Sequence, residues 1–307
     1  MKIDIGTTRR PILIAGPTAS GKSGLALQLA ERYDGIVINA DALQVYDGWR
    51  ILTARPDDTE QSRAPHRLYG HVPMGADYSV GHWLRDIKDV IQDTDEAHLK
   101  PIIVGGTGLY FQALTQGLVD IPPVPDHIRA EAEALIATKG LTAFADDLRT
   151  ADPDTYARID TNNPARTQRA WEVLRATGRG ISEWQADTPP PLVPLDSAVA
   201  LNLVSDTGWL NDRIDRRFDQ MINMGALNEC RAVMTSGWDP AHPSCQAIGA
   251  KELIAALQGQ MDLQAAIEAA KTQTRQYAKR QRTWFRNKMR DWTQVPIPLE
   301  NGVVFEP

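Results

Sequence analysis

Eight residues, Gly16-Pro17-Thr18-Ala19-Ser20-Gly21-Lys22-Ser23, follow the pattern G-x-x-x-x-G-K-[ST], and the chemistry of that pattern is phosphate binding. The glycines let the backbone curl so that successive N–H groups point at phosphate oxygens. A helix beginning at the loop adds the partial positive charge of its N-terminus. Lys22 can neutralise phosphate charge, and the Ser23 hydroxyl can ligate Mg²⁺. Such a loop names a phosphate and not a reaction, because ATPases, GTPases and kinases of small molecules all use it. The chain has no aliphatic run ending in Asp-Glu at the distance of a motor ATPase, and no Asn-Lys-x-Asp guanine-reading motif. The field narrows to enzymes acting on small phosphorylated substrates.

Two further stretches carry polar groups of the same kind. Asp41 lies in Asn39-Ala40-Asp41-Ala42-Leu43-Gln44-Val45-Tyr46. Its carboxylate can serve as a general base, as a partner of Mg²⁺, or simply as a helix N-cap. Gly105-Gly106-Thr107-Gly108-Leu109-Tyr110 offers glycines that permit close backbone approach. In it, Thr107 can donate a hydrogen bond to a phosphate or leaving oxygen. The six histidines form no HExxH or other metal spacing, His66 reads as structural, and no G-x-S-x-G elbow occurs.

The elements that would position these groups can be read from periodicity. Apolar runs at 11–15, 35–40 and 100–104 each end where one of the three loops begins, as buried strands would. Helical patterns follow the phosphate loop to about Arg32 and cover 79–98. The expected fold is therefore α/β, a P-loop NTPase-like parallel sheet flanked by helices, with ligand groups on loops at the carboxyl ends of the strands. Ile121-Pro122-Pro123-Val124-Pro125 and Thr188-Pro189-Pro190-Pro191-Leu192-Val193-Pro194 bracket helical patterns at 126–138, 141–150, about 153–159, and 164–177. This predicts an all-helical inserted domain over 121–195 between two parts of the core, 1–120 and 196–307. The second part shows a strand at 197–204 and helical patterns at 207–235, 248–257 and 262–290.

Composition excludes several classes. The 307 residues are 42% hydrophobic and 23% charged, which is ordinary for a globular protein. No apolar run approaches the roughly 20 residues that span a bilayer, and Met1 to Arg10 lacks a signal peptide's apolar stretch. Two cysteines without CxxC spacing argue against a disulfide framework or structural zinc, and point to the cytoplasm. The net charge of −6 hides an uneven distribution. Residues 271–290 hold eight Lys or Arg and no acid, and the rest carries 25 basic against 39 acidic residues. Arg275, Lys279, Arg282, Arg286 and Arg290 fall on one helix face, a stripe that suits a phosphate backbone. Tyr277, Trp284 and Phe285 are interleaved with it, and core packing is the favoured reading for them over base stacking.

The whole set resembles the tRNA dimethylallyltransferase family. The resemblance rests on GPTASGKS at 16–23, Asp41 with Gln44-Val45-Tyr46, Thr53-Ala54-Arg55-Pro56, Pro65-His66-Arg67-Leu68 and the Gly105–Tyr110 stretch. Asn163-Pro164 with Arg166 and Arg169, Arg217-Phe218 and the basic segment continue it in order over nearly the whole chain. The resemblance implies dimethylallyl diphosphate as the phosphate ligand, Mg²⁺ on Ser23, and the adenosine just 3′ of the anticodon in tRNAs reading U-starting codons as acceptor. It implies Asp41 as the base that deprotonates the exocyclic amine, with Thr107 and Arg217 stabilising the departing diphosphate. For tRNA contact it implies Asp41, Ala42, Leu43, Gln44, Thr107, Arg129, Arg166, Arg169, Lys279, Arg282 and Arg286. The chain departs from the family at Ala42, where Ser is usual, at Arg50-Ile51-Leu52, and at Ala250, where an aromatic is usual. A monomer is the default expectation. An adenylate prenyltransferase, a small-molecule kinase and a non-catalytic RNA-binding protein are the rival readings.

Overall fold

The computed structural model describes residues 2–5, 10–299 and 304–306. Ile12–Ala15 is buried at every position, so it needs cover on both faces, and it becomes strand β2 in the middle of a sheet. A short β1, Lys2–Asp4, precedes it. β3 (Gly35–Asn39), β4 (His66–Arg67), β5 (Lys100–Gly105), β6 (Val199–Ser205) and β7 (Thr293–Ile297) complete a six-stranded sheet in the order β4-β3-β5-β2-β6-β7. All its pairings are parallel, with Ala15 opposite Gly105 and Asn39 opposite Val104, so the loops after β2, β3 and β5 emerge along one edge. β8 (Val304–Glu306) pairs with β1 in a separate two-stranded sheet.

Alternation along the strands separates two cores. Ile12, Ile14, Val37, Ile102 and Leu201 pack with Leu25, Ala26 and Leu29 of α1 (Lys22–Arg32) on one face. Leu13, Ile36, Ile38 and Ile103 face the other way. They meet Trp83 and Ile87 of α3 (Val80–Glu96) and Phe111 and Leu114 of α4 (Gly108–Gln116). Between α1 and α3 lies the short α2 (Asp58–Arg63), started by a capping box of Asp57 and Glu60.

The chain forms two compact units, Met1–Gln116 with Leu192–Pro307, and Gly117–Pro191. The second holds only helices among its regular elements. They are α5 (Asp126–Lys139), α6 (Thr142–Ala151), α7 (Pro153–Arg158), α8 (Pro164–Thr177) and α9 (Ile181–Ala186). They enclose their own core of Ile128, Phe144, Leu148 and Trp171. Asn163 caps α8 by accepting from the Arg166 N–H, Pro164 occupies its first turn, and Gly178 ends it with φ 70°.

The sheet unit closes with α10 (Thr207–Asn223), α11 (Ala226–Gly237), α12 (Ala250–Leu257) and α13 (Leu263–Lys288), packed around Phe218, Val233, Leu253 and Ile267. The helical pattern over 207–235 is thus two helices and not one. Gly225, at φ 103°, breaks it with a left-handed residue that a side chain would strain. Both cysteines are buried and free. Burial pushes the Cys230 thiol up to about 12, with Glu229 adding to the rise.

Candidate functional site

The phosphate loop begins where β2 ends. Ala19 and Gly21 both take positive φ, 61° and 89°, the latter as the left-handed N-cap of α1. Gly21 has open space where a Cβ would stand, so its conformation and not its surroundings demands glycine. α1 starts at Lys22, and the first-turn amides of a helix have no intrahelical acceptor. The Ser20 hydroxyl is buried within the loop without a hydrogen-bond partner.

Asp41 follows β3 in a turn and not at a helix start, which removes the N-cap reading. Its Oδ1 accepts from the Leu43 N–H at 3.0 Å. The Asn39 side chain braces the same turn: Oδ1 accepts from the Asp41 N–H at 2.9 Å, and Nδ2 donates to Leu68 O at 2.9 Å. Below it, Trp83 Nε1 donates to Asn39 O at 2.8 Å, and the Trp83 ring stacks on Tyr110 at 4.4 Å. The third loop is tied to the second, because Thr107 Oγ1 accepts from the Ala42 N–H at 2.9 Å. Accepting there leaves the Thr107 hydroxyl hydrogen to point elsewhere. The Ala42 contribution is a backbone group, so the departure from Ser leaves this bond in place. The glycines of the third loop approach protein: a Cβ on Gly105 would meet Ala40 O at 2.0 Å, and one on Gly108 would meet the Trp284 ring at 2.2 Å.

A cavity of about 790 Å³ opens over the phosphate loop, lined by Lys22, Ser23, Asp41, Gln44, Arg213 and Arg217 among others. It adjoins a smaller pocket of about 70 Å³ that shares Asp41 and Arg217. Apolar side chains dominate the smaller one, chiefly Leu43, Leu52, Ile214, Phe218, Met221 and Ile248, with Tyr277 at its wall. Charged groups therefore gather at a junction between a polar cavity and an apolar recess. Ala42 and Thr107 line neither cavity and reach it only through the turn they brace.

Electrostatically the cavity is primed for an anion. Burial pulls the Lys22 ammonium down to about 8; Asp41 offsets part of this and Arg217 adds to it. Its one hydrogen bond is a long one to Pro17 O at 3.4 Å. Burial and neighbouring Arg213 likewise depress Arg217, and its guanidinium forms no ion pair with a described residue. Half-buried cations with no described carboxylate at ion-pair distance, and only Asp41 and, for Arg217, Glu60 near enough to act on them, leave the cavity suited to an anion. For a divalent ion the donors are hard oxygens, the Ser23 hydroxyl and the Asp41 carboxylate, of the kind Mg²⁺ prefers. Among the described residues no cluster of three His, Cys, Asp or Glu could hold a metal. The residues fit an ion that arrives with phosphate oxygens, not one caged by protein.

The basic segment divides into parts with different surroundings. Lys279, Arg286 and Arg290 are exposed, and none forms an ion pair with a described residue. Arg282 donates to Thr207 Oγ1 at 2.7 Å. Arg275 pairs with Asp215 of α10, and Lys271 pairs with Asp219 at 2.8 Å and Glu268 at 3.2 Å. The acids missing from 271–290 are thus supplied by α10 and by the turn before, which takes Arg275 out of the free stripe. Phe285 is buried and Trp284 packs on Gly108, whereas Tyr277 lines the apolar recess. Ala250 is fully buried, so the departure there concerns the helical core of the sheet unit. Within the helical unit, Arg129, Arg166 and Arg169 are exposed and make no ion pair with a described residue. His66 Nδ1–H donates to Ala64 O at 2.8 Å, and the ring stands edge-on to Tyr69, in keeping with a structural role.

Two groups at the site had no sequence signal. Gln281 of α13 is buried, and its amide reaches both the phosphate loop and the third loop. Glu229 of α11 accepts from the amides of Ile51 at 2.7 Å and Leu52 at 2.9 Å, fixing the 50–52 stretch that borders the cavity. Both act across more than 170 positions of chain, beyond the reach of local spacing.

The family model described as IPP transferase matches residues 44–288. A protein of Cereibacter sphaeroides named tRNA dimethylallyltransferase is 59% identical over 289 residues, covering 94% of this chain and 97% of its own. One of the same name from Dinoroseobacter shibae is 58% identical over 287 residues, covering 94% and 95%. Among solved structures, the tRNA isopentenylpyrophosphate transferase of Bacillus halodurans is similar with TM-score 0.66 and 35% identity, over 94% of this chain and 90% of that one. A eukaryotic dimethylallyltransferase captured acting on tRNA is similar with TM-score 0.78 and 29% identity, over 96% and 73%.

Proposed function

We propose, from the premise that this chain belongs to the IPP transferase family, that it transfers a dimethylallyl group from dimethylallyl diphosphate to tRNA. The acceptor is the exocyclic amine of the adenosine 3′-adjacent to the anticodon, in tRNAs that read codons beginning with U. The observation that carries this reading is the junction at Asp41 and Arg217. Unpaired enclosed cations meet an apolar recess there, as a diphosphate joined to a short branched hydrocarbon requires.

The diphosphate lies in the phosphate loop, on the first-turn amides of α1 that have no intrahelical acceptor, with Lys22 and Arg217 neutralising its charge. Ser23 would hold a Mg²⁺ that arrives with it, and such an ion would supply further charge neutralisation to the leaving group. Asp41, whose Oδ1 is committed to Leu43, uses its other oxygen to take the proton from the adenosine amine. As that nitrogen bonds to the allylic carbon, the carbon–oxygen bond to diphosphate breaks and its electron pair leaves with the diphosphate. An allylic carbon ionises readily once that departing charge is stabilised, so positioning and electrostatics carry the catalysis. Thr107 holds the Asp41 turn in place by accepting from the Ala42 N–H. The base leaves its stack to reach the site, at a cost of a few kcal/mol that must be offset by contacts elsewhere on the RNA. Leu43 and Gln44 at the cavity, Lys279, Arg282 and Arg286 on α13, and Arg129, Arg166 and Arg169 on the helical unit supply them. The enzyme acts as a monomer in the cytoplasm.

The test is label transfer from dimethylallyl diphosphate with Mg²⁺, offering an unmodified anticodon stem-loop RNA or AMP. Label in the RNA alone is expected. Label in AMP alone would mean a free-nucleotide prenyltransferase, and consumption of ATP with neither acceptor labelled would mean a kinase.

A further inference from the structure

α13 carries exposed cations on one side and a buried amide on another. Gln281 is 6% exposed, and its Oε1 accepts from the Thr18 N–H of the phosphate loop at 2.8 Å. Its Nε2 donates to Gly106 O, in the loop that carries Thr107, at 2.9 Å. The amide therefore spans two of the three site loops, and both of its ends are matched, acceptor to donor and donor to acceptor. The fit is close: a Cβ on Gly106 would stand 2.4 Å from Nε2 and 3.3 Å from Asp41 Oδ2. The charged groups nearest this bridge are Asp41, across Gly106, with Lys22 and Arg217 coupled to it, and Tyr277 one turn back on α13.

We propose that Gln281 is a positioning residue for the transfer reaction, setting the spacing between the diphosphate cradle and the Asp41–Thr107 turn from a helix whose outer face bears Lys279 and Arg282. This rests on the prenyl-transfer reading above. It touches neither the diphosphate nor the acceptor. It sets where the cradle stands relative to the base, the quantity on which attack geometry depends. A bridge of this kind requires a donor at one end and an acceptor at the other, which distinguishes it from space-filling.

Two full-length variants test it, with Mg²⁺, dimethylallyl diphosphate and an anticodon stem-loop RNA. Gln281→Met keeps length and volume and removes both bonds. Its kcat per diphosphate-titrated site is expected to fall about a hundredfold, with the KM for RNA within about twofold of wild type. Gln281→Glu can replace the amide only when protonated, because a carboxyl C=O accepts from Thr18 and its O–H donates to Gly106 O. The ionised form sets oxygen against oxygen. The ratio of its kcat to that of wild type is therefore expected to rise about tenfold as the pH falls from about 8 to about 6. A ratio that stays flat across that range, or Gln281→Met turning over at the wild-type rate, overturns the proposal. Should Gln281→Met fail to fold, the slope of the Gln281→Glu ratio decides alone. Wild-type protein that labels no RNA overturns the transfer reading and this proposal together, whereas active wild type with a flat ratio overturns only the latter.

Discussion

At the scale of single residues, two groups separate binding from chemistry. Lys22 has a folded-state pKa of about 8 against an ordinary 10.5. Below about 8 both folded and unfolded chains hold the proton, and the enclosed ammonium disfavours the fold. Above it the folded chain sheds the proton first and that penalty is relieved. On the proposed reading the diphosphate needs the ammonium, so its affinity runs the other way. Titration calorimetry with Mg-diphosphate should show affinity falling about tenfold per unit above roughly pH 8, with proton uptake on binding in that range. Lys22→Met should weaken binding about a hundredfold and flatten this limb. Asp41→Asn keeps the acceptor for the Leu43 N–H and removes the base. It should lower kcat by about 10²–10⁴ while diphosphate affinity changes only a few-fold. Both residues were legible because they sit in short motifs at strand ends. Gln281, Glu229 and the site position of Tyr277 were not, because each enters from a helix distant in sequence.

At the scale of elements, the site stands on buried supports. Trp83 of α3 donates to Asn39 O, the residue whose side chain braces the Asp41 turn. Trp83→Phe should leave that carbonyl unpaired and cost about 1–3 kcal/mol of stability, measurable by urea denaturation. A cost near zero would mean that the hydrogen bond bears no weight. The central strands were legible because both faces are apolar. β7 was not, since Thr293-Gln294-Val295-Pro296-Ile297 is half polar and contains proline, tolerable because β7 is an edge strand. Periodicity alone also ran α10 into α11. Hydrophobic spacing continues through Gly225, and only the left-handed turn there divides them.

At the scale of the whole molecule, charge distribution outweighs the net value of −6. On the proposed reading, the exposed cations of α13 that form no ion pair with a described residue act on RNA phosphates, and the paired ones hold helices together. Lys279→Glu with Arg286→Glu should weaken stem-loop RNA binding about tenfold or more and reduce its salt slope by roughly 1–2, leaving diphosphate affinity unchanged. Arg275→Ala should instead lower the melting temperature with little change in the salt slope, because its partner is Asp215. Gel-shift titrations at several salt concentrations separate these outcomes. Sequence showed the stripe, but only the packing of α10 against α13 shows which of its members are already neutralised.

The burial of Cys230 and Cys245 reaches into a different chemistry. A thiol held near 12 has almost no thiolate at neutral pH, and thiolate is the form that peroxide and alkylating reagents attack. Cys245 is shielded by burial alone, so neither of the chain's two sulfhydryls is open to oxidants from solvent. The proposed transfer reaction should persist through an oxidative burst that silences enzymes dependent on an accessible cysteine. A single cysteine introduced on the outer face of α13 or α8 would be the one fast-reacting thiol in the protein, and so a selective attachment point for a fluorophore.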